Sequence, residues 1–176
     1  IGANMSWIIT ATGMKFDLAD PQPDMISVED ICAALPKICR FTGHVNRFYS
    51  VGEHSWIGSQ ELSGELGIEF LLHDATEAYV GDMNSPLKQM LPEYRRIEQR
   101  IDAAIRERFN LPSSMSPAVK AMDLVMLSTE KRDLMPYHPE PWACLVGVEP
   151  LDSRPTPMEP RVVSVRMAKT LNCFVN

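Results

Sequence analysis

A histidine and two carboxylates interrupt an otherwise apolar, helix-forming stretch near the middle of the chain. His73 and Asp74 are adjacent, and Glu77 follows three residues later. An adjacent His-Asp pair inside a buried helix is costly to desolvate unless its charge is compensated, and a divalent cation can bind both side chains at once. Glu77 projects from nearly the same helical face as Asp74, where a carboxylate could serve as general acid or base. This spacing predicts metal-assisted chemistry.

Two further polar residues occupy positions that suit metal ligands. His54 opens a predicted helix, and Asp123 lies on the apolar face of another, beside Met122 and Val125. Two imidazoles and two carboxylates on packed helices can bind a divalent metal and leave positions open for water and substrate. Mixed imidazole and carboxylate ligands suit Mn, Co, Zn, Fe, Ni or Mg, so the ligand types do not indicate which of these metals binds. Taken singly, each residue would more often be a structural histidine or a solvated aspartate.

The elements that must position these residues are mostly helices. Apolar periodicity predicts a mainly α-helical fold, preceded by a short extended or hairpin segment near residues 7–17. His73 and Asp74 then lie in the middle of a helix. Ser27 is expected to cap the first helix. The predicted helices cover residues 28–39, 54–63, 66–79, 86–90 and 92–110, a stretch that starts at 117, and residues 161–173.

Length and composition predict one domain. The chain has 176 residues, of which 45% are hydrophobic, enough for one buried core but too few for two ordinary domains. We expect the domain to cover residues 5–176, with residues 1–4 as the remnant of an expression tag. No apolar stretch approaches the roughly 20 residues that span a bilayer, and no secretory signal is visible, so a cytoplasmic location is expected.

Charge and cysteine content exclude some functions. A net charge of -6 argues against a nucleic-acid polymer or an anionic membrane as partner, because both need a basic surface. No Cys-x-x-Cys pair occurs, so the cysteines are expected to be reduced, mostly buried thiols and not zinc ligands or disulfides. These cysteines are Cys32, Cys39, Cys144 and Cys173.

The order and spacing of the polar residues resemble those of the HD-domain metal-dependent phosphohydrolases. The likeness covers roughly residues 5–135 and looks closest to the YfbR/YfdR-like branch. The residues that carry it are His54, His73, Asp74, Glu77, Asp82 and Asp123. The resemblance implies an HD-type helical bundle in which the two histidines, Asp74 and Asp123 bind the metal and Glu77 is the catalytic carboxylate. It leaves the segment after residue 136 without a role.

The same resemblance implies a substrate site. Arg40 would lie near the phosphate and Phe41 near the sugar, although a tryptophan often stands in place of Phe41. Asp82 would assist catalysis from the substrate turn, in which Asn84 replaces a typical proline. Apart from the resemblance, Lys88 follows this turn and could add a second positive charge near the phosphate. The expected substrate contacts are Arg40, Phe41, Asp82, Met83, Asn84, Ser85 and Lys88.

The implied activity is hydrolysis of 2'-deoxynucleotides, with removal of the 5'-phosphate from a deoxynucleoside monophosphate as the leading expectation. Release of triphosphate from a dNTP such as dATP, known among phage relatives of the branch, is the alternative within the same class. A non-catalytic nucleotide-binding helical module is the alternative of another class, although such a module has no need of Glu77. The resemblance also implies a homodimer or larger homo-oligomer.

Overall fold

The computed structural model describes residues 6–175, and this part of the chain is mainly helical with a short N-terminal hairpin, as predicted. Strands β1 (Trp7–Ile9) and β2 (Lys15–Asp17) pair antiparallel, with Ile8 opposite Phe16. The expected tag remnant, residues 1–4, and Met5 lie outside the described residues. The helices are α1 (Val28–Ala34), α2 (Val51–Gln60), α3 (Glu65–Leu72), α4 (Glu77–Val80), α5 (Ser85–Met90), α6 (Pro92–Arg108), α7 (Pro117–Leu134) and α8 (Pro160–Val175).

Side-chain caps set the start of several helices. The hydroxyl of Ser27 accepts a hydrogen bond from the Asp30 backbone N–H at 3.0 Å, which confirms the predicted cap of α1. Ser50 caps α2 in the same way, accepting from the Glu53 N–H at 2.9 Å. Because this cap lies before Val51, α2 begins three residues earlier than predicted, and His54 falls within its first turn.

The prediction of one uninterrupted helix over residues 66–79 is wrong. Helix α3 ends at Leu72, residues 73–76 form turns, and α4 begins at Glu77. The Nδ1–H of His73 donates to the backbone carbonyl of Phe70 at 2.6 Å, and a continuing α-helix would offer that carbonyl to the Asp74 N–H. His73 and Asp74 therefore lie at a helix break.

Several other expectations also fail. Helix α1 ends at Ala34, and a 3₁₀ turn over Leu35–Lys37 replaces its predicted last residues because Pro36 cannot continue an α-helix. Of the four thiols, all free, only Cys32 is buried, so the expectation of mostly buried cysteines is wrong. The apolar periodicity of residues 92–110 also places Arg106 on the solvent face of α6. This is wrong: Arg106 is buried, because its guanidinium pairs with Asp102 and Glu69.

Helix α8, in the segment that had no predicted role, completes the core. It packs against α1 and α2. Its residues Val163, Met167 and Leu171 are fully buried in the same cluster as Ile31 and Ile101. Among the described residues, no helix is both long and apolar enough to cross a membrane.

A glycine allows a close approach between α2, which carries His54, and α3, which ends just before His73. Gly58 of α2 faces the Phe70 ring of α3, and a Cβ atom at position 58 would overlap this ring. Phe70 is fully buried and forms a second apolar cluster with Val119 and Met126 of α7. The close approach of α2, α3 and α7 at this point positions the polar residues described next.

Candidate metal centre

Three side chains from different parts of the fold converge at one point. His54 of α2, His73 after α3 and Asp123 of α7 each offer a ligand atom, and these atoms all lie within 4.8 Å of one another. The Nε2 atoms of the two histidines are 3.3 Å apart. Oδ1 of Asp123 lies 3.3 Å from Nε2 of His54 and 3.6 Å from Nε2 of His73. This group could hold a metal ion.

Asp74, the fourth ligand predicted from the sequence, lies beside this group. Its Oδ2 atom is 3.3 Å from Nε2 of His73 and 3.7 Å from Nε2 of His54. The same oxygen accepts a hydrogen bond from Nη1 of Arg40 at 3.2 Å. The structure therefore brings all four predicted ligands together, with Asp74 shared between the histidines and an arginine.

The outer nitrogen of each histidine has its own hydrogen-bond acceptor. Nδ1 of His54 lies 2.6 Å from Oε1 of Glu130, and Nδ1 of His73 donates to the Phe70 carbonyl. Because these partners accept hydrogen bonds, Nδ1 carries the hydrogen in each neutral ring, and the Nε2 lone pairs face the same space as the two aspartates. Several electron-pair donors that face one another suit a bound cation, so the residues present fit a divalent metal.

The electrostatics of the centre also favour added positive charge. Burial and the charge of Arg40 lower the pKa of the His54 imidazole, but Glu130 and Asp123 outweigh them and raise this pKa to about 9. Burial would raise the pKa of Asp123, yet hydrogen bonds from both histidines hold it well below its usual range. A bound proton or a bound metal ion can supply this positive charge. A metal ion that binds the imidazoles displaces the protons from their Nε2 atoms.

Glu130 is the part of the centre that sequence reasoning missed. It is fully buried, contacts His54 through Oε1 and accepts from Nη2 of Arg40 at 3.1 Å through Oε2. It lies on α7 seven residues after Asp123, which is about two turns along one helical face. The seven-residue spacing from Asp123 could have indicated Glu130 in the sequence, but a glutamate in a helix usually faces solvent.

Glu77, the predicted catalytic carboxylate, is buried and lines a pocket next to Asp74 and Asp123. Burial, together with the charges of Asp74 and Asp82, raises the pKa of Glu77 well above its usual value. Within the described residues, its Oε2 atom has no hydrogen-bond partner. Burial also raises the pKa of Asp82. The carboxyl of Glu77 can therefore hold a proton beside the centre.

The pocket has a volume of about 630 Å³, and every residue predicted to contact substrate lines it. Lys88 is partly engaged elsewhere, because its Nζ lies 2.6 Å from Oε1 of Glu98. Phe41 has a positive φ of 55°, a conformation that costs about 1–3 kcal/mol in a residue other than glycine and that clusters at functional sites. Lining residues that the sequence did not single out for this site include Leu127, Met135, Trp142 and Cys144.

The fold and the site thus define a mainly helical protein with a His/Asp group that could hold a metal ion. No family model matches the chain. It is 46% identical over 144 residues to the uncharacterized protein YfdR of Escherichia coli, and the match covers 82% of this chain and 81% of YfdR. An uncharacterized protein of Rhodobacter capsulatus is 32% identical over 143 residues, which cover 73% of each chain. The chain therefore belongs to the YfdR family.

Proposed function

We propose that this protein is a metal-dependent phosphohydrolase of the HD-domain type that removes the 5'-phosphate from 2'-deoxynucleoside monophosphates. The observation that carries the proposal is the convergence of His54, His73, Asp74 and Asp123 beside a pocket of about 630 Å³. A pocket of this volume lies within the range of small-molecule sites. The resemblance of the same residues to the HD-domain phosphohydrolases supports the reaction class.

The four ligands would hold a divalent metal at the inner end of the pocket. When bound, the metal neutralises charge on phosphoryl oxygens and makes water a stronger nucleophile at neutral pH. Glu130 and the Phe70 carbonyl accept hydrogen bonds from Nδ1 of His54 and of His73. These contacts hold the two imidazoles with Nε2 directed toward the metal site.

Glu77 supplies the proton for the leaving group. Water attacks phosphorus, the bond between phosphorus and the sugar 5'-oxygen breaks, and the Glu77 carboxyl donates its proton to that oxygen as the bond breaks. The proton released by the water restores the acid. Burial raises the pKa of Glu77 well above its usual value, which favours the protonated form that an acid catalyst needs.

Arg40 provides a fixed positive charge at the pocket wall. Its two terminal nitrogens bind Asp74 and Glu130, and its side chain is only 11% exposed. A guanidinium held by two carboxylates loses little further entropy when an anion binds. Arg40 thus links the ligand Asp74 to Glu130 behind His54 while it lines the substrate pocket.

The charge of the lining favours a monophosphate over a triphosphate. The cations on the pocket wall are Arg40 and Lys88, and both already contact carboxylates. The acidic side chains on the same wall are Asp74, Glu77, Asp82 and Asp123. A triphosphate carries more negative charge than these cations can neutralise, so triphosphate release from dATP stays the second candidate.

Phosphate release from matched substrates tests the proposal. Protein stripped with a chelator and then loaded with Mn²⁺ or Co²⁺ is given dAMP, and orthophosphate is measured with malachite green. A parallel reaction with dATP is analysed for tripolyphosphate. We expect metal-dependent orthophosphate from dAMP, lost in Asp123→Asn and unchanged in Asp152→Asn, a control at an exposed aspartate.

Three results would contradict the proposal. Tripolyphosphate from dATP without orthophosphate from dAMP would support the triphosphohydrolase alternative. Saturable dAMP binding without turnover by any metal-loaded form would support the non-catalytic module. A wild-type rate in Asp123→Asn would place the chemistry elsewhere.

A further inference from the structure

We propose that Trp142 forms a nucleobase subsite in this pocket, where its indole ring stacks on the base of the bound nucleotide. The inference rests on the proposed function in taking a nucleotide as the ligand. Trp142 belongs to the irregular segment between α7 and α8, is half-buried and lines the same pocket as Asp74 and Asp123.

The position of this ring relative to the metal centre can be described along helix α7. Asp123 and Leu127 both line the pocket, and Lys131 follows at the same four-residue interval, so these side chains share one helical face. Lys131 lies eight residues after Asp123, about 12 Å along the helix axis. Its Nζ is 4.9 Å from the centroid of the Trp142 ring. The indole therefore lies against the part of α7 that is about two turns beyond Asp123.

The pocket lining combines two kinds of chemistry. Arg40, Glu77 and the aspartates supply charged groups, and two of these, Asp74 and Asp123, also belong to the metal centre. Leu127, Met135 and Trp142 add apolar and aromatic surface to the same pocket. A mononucleotide has the same two parts, an anionic phosphate and a flat base with apolar faces. With the phosphate at the metal centre, we expect the base to lie against the lining that includes Trp142.

Stacking on this wall does not distinguish strongly between bases. Each base has a π face that an aromatic side chain can contact, and such stacking is tolerant of base identity. The Lys131 ammonium lies against the ring and helps to hold it in place, while Trp142 still contributes surface to the pocket. Trp142 therefore strengthens the binding of all four deoxynucleotides to a similar extent.

Steady-state kinetics with and without a base test this inference. The variants are Trp142→Leu, Trp142→Phe and the control Trp7→Leu, which removes a tryptophan that also lies under a lysine but outside the pocket lining. We expect KM for the four deoxynucleoside monophosphates to rise about 10- to 100-fold in Trp142→Leu, the loss that one stacking contact represents. Trp142→Phe keeps most of the affinity, and Trp7→Leu keeps all of it.

The base-free substrate 2-deoxyribose 5-phosphate separates stacking from general damage. Its kcat/KM should be the same in wild type and Trp142→Leu. An equal loss with the base-free substrate, or an unchanged KM for deoxynucleotides in Trp142→Leu, overturns the inference and leaves the phosphohydrolase proposal intact.

A binding measurement distinguishes failure of the inference from failure of the proposed function. Titration with dAMP should quench tryptophan fluorescence saturably in wild type and in Trp7→Leu but not in Trp142→Leu. Quenching that depends on Trp142 without any turnover supports the base subsite and contradicts the phosphohydrolase. If wild type shows neither quenching nor turnover, both are contradicted.

Discussion

Glu130→Gln replaces one oxygen of a fully buried carboxylate with an amide nitrogen and removes the charge that holds His54 and Arg40. The contact with Nδ1 of His54 is short, 2.6 Å, and hydrogen bonds to ionised groups are roughly twice as strong as neutral ones. Loss of such support for a ligating histidine typically lowers metal affinity about 10- to 100-fold. This corresponds to about 1.4–2.8 kcal/mol of binding free energy.

The same substitution also destabilises the fold. Breaking a buried ion pair by removing one partner costs about 3–5 kcal/mol. Arg40 keeps Asp74 as a partner at 3.2 Å, and glutamine can still accept from His54, so we expect the loss in unfolding free energy at or below about 3 kcal/mol. The variant should fold and bind metal weakly.

Calorimetric titration of chelator-stripped protein with Mn²⁺ measures the affinity, and urea denaturation measures the stability. Glu69→Gln is the matched control, because Glu69 is buried and contacts Arg106 at 3.4 Å and the Ser116 N–H at 2.8 Å, away from the centre. It should lose stability but keep metal affinity. Wild-type Mn²⁺ affinity in Glu130→Gln, or an equal affinity loss in both variants, would refute the reasoning.

Three further predictions concern catalysis, packing and metal removal. Glu77→Gln should keep Mn²⁺ affinity and lower kcat for dAMP by about 10²- to 10⁴-fold because the proton donor is lost; an unchanged rate would exclude Glu77 as the acid. Gly58→Ala should lower the free energy of unfolding in urea by about 1–3 kcal/mol, because the new methyl group overlaps the Phe70 ring; wild-type stability would show that the helices can separate without cost. Chelation should lower Tm in wild type, since a metal at 100 times its Kd adds about 2.7 kcal/mol, but not in Asp123→Asn; an equal decrease in both would place the metal elsewhere.

Local features of the sequence predicted most of the helices. The cap at Ser27 and the proline starts of α6 and α7 depend on a few neighbouring residues, so they can be read without tertiary information. The break after α3 could not be read in this way. It depends on the His73 side chain taking the Phe70 carbonyl, a competition that helix periodicity does not reveal.

The residues of the candidate site also differ in whether the sequence alone could reveal them. His54, His73, Asp74 and Asp123 could be selected because charged or imidazole side chains in apolar surroundings are unusual. Glu130 could not, since only the contact with His54 distinguishes it from an ordinary helical glutamate. Trp142 lies in an irregular, proline-rich segment, where no periodic pattern indicates which surface it faces.

An anomalous diffraction measurement at the zinc edge, on crystals grown with Zn²⁺, tests the metal centre most directly. The account predicts one strong peak between the histidines, about 2.0–2.2 Å from Nε2 of His54, Nε2 of His73 and a carboxylate oxygen of Asp123. A peak bound only by other residues, or no peak at a Zn²⁺ concentration that saturates binding in solution, would contradict it.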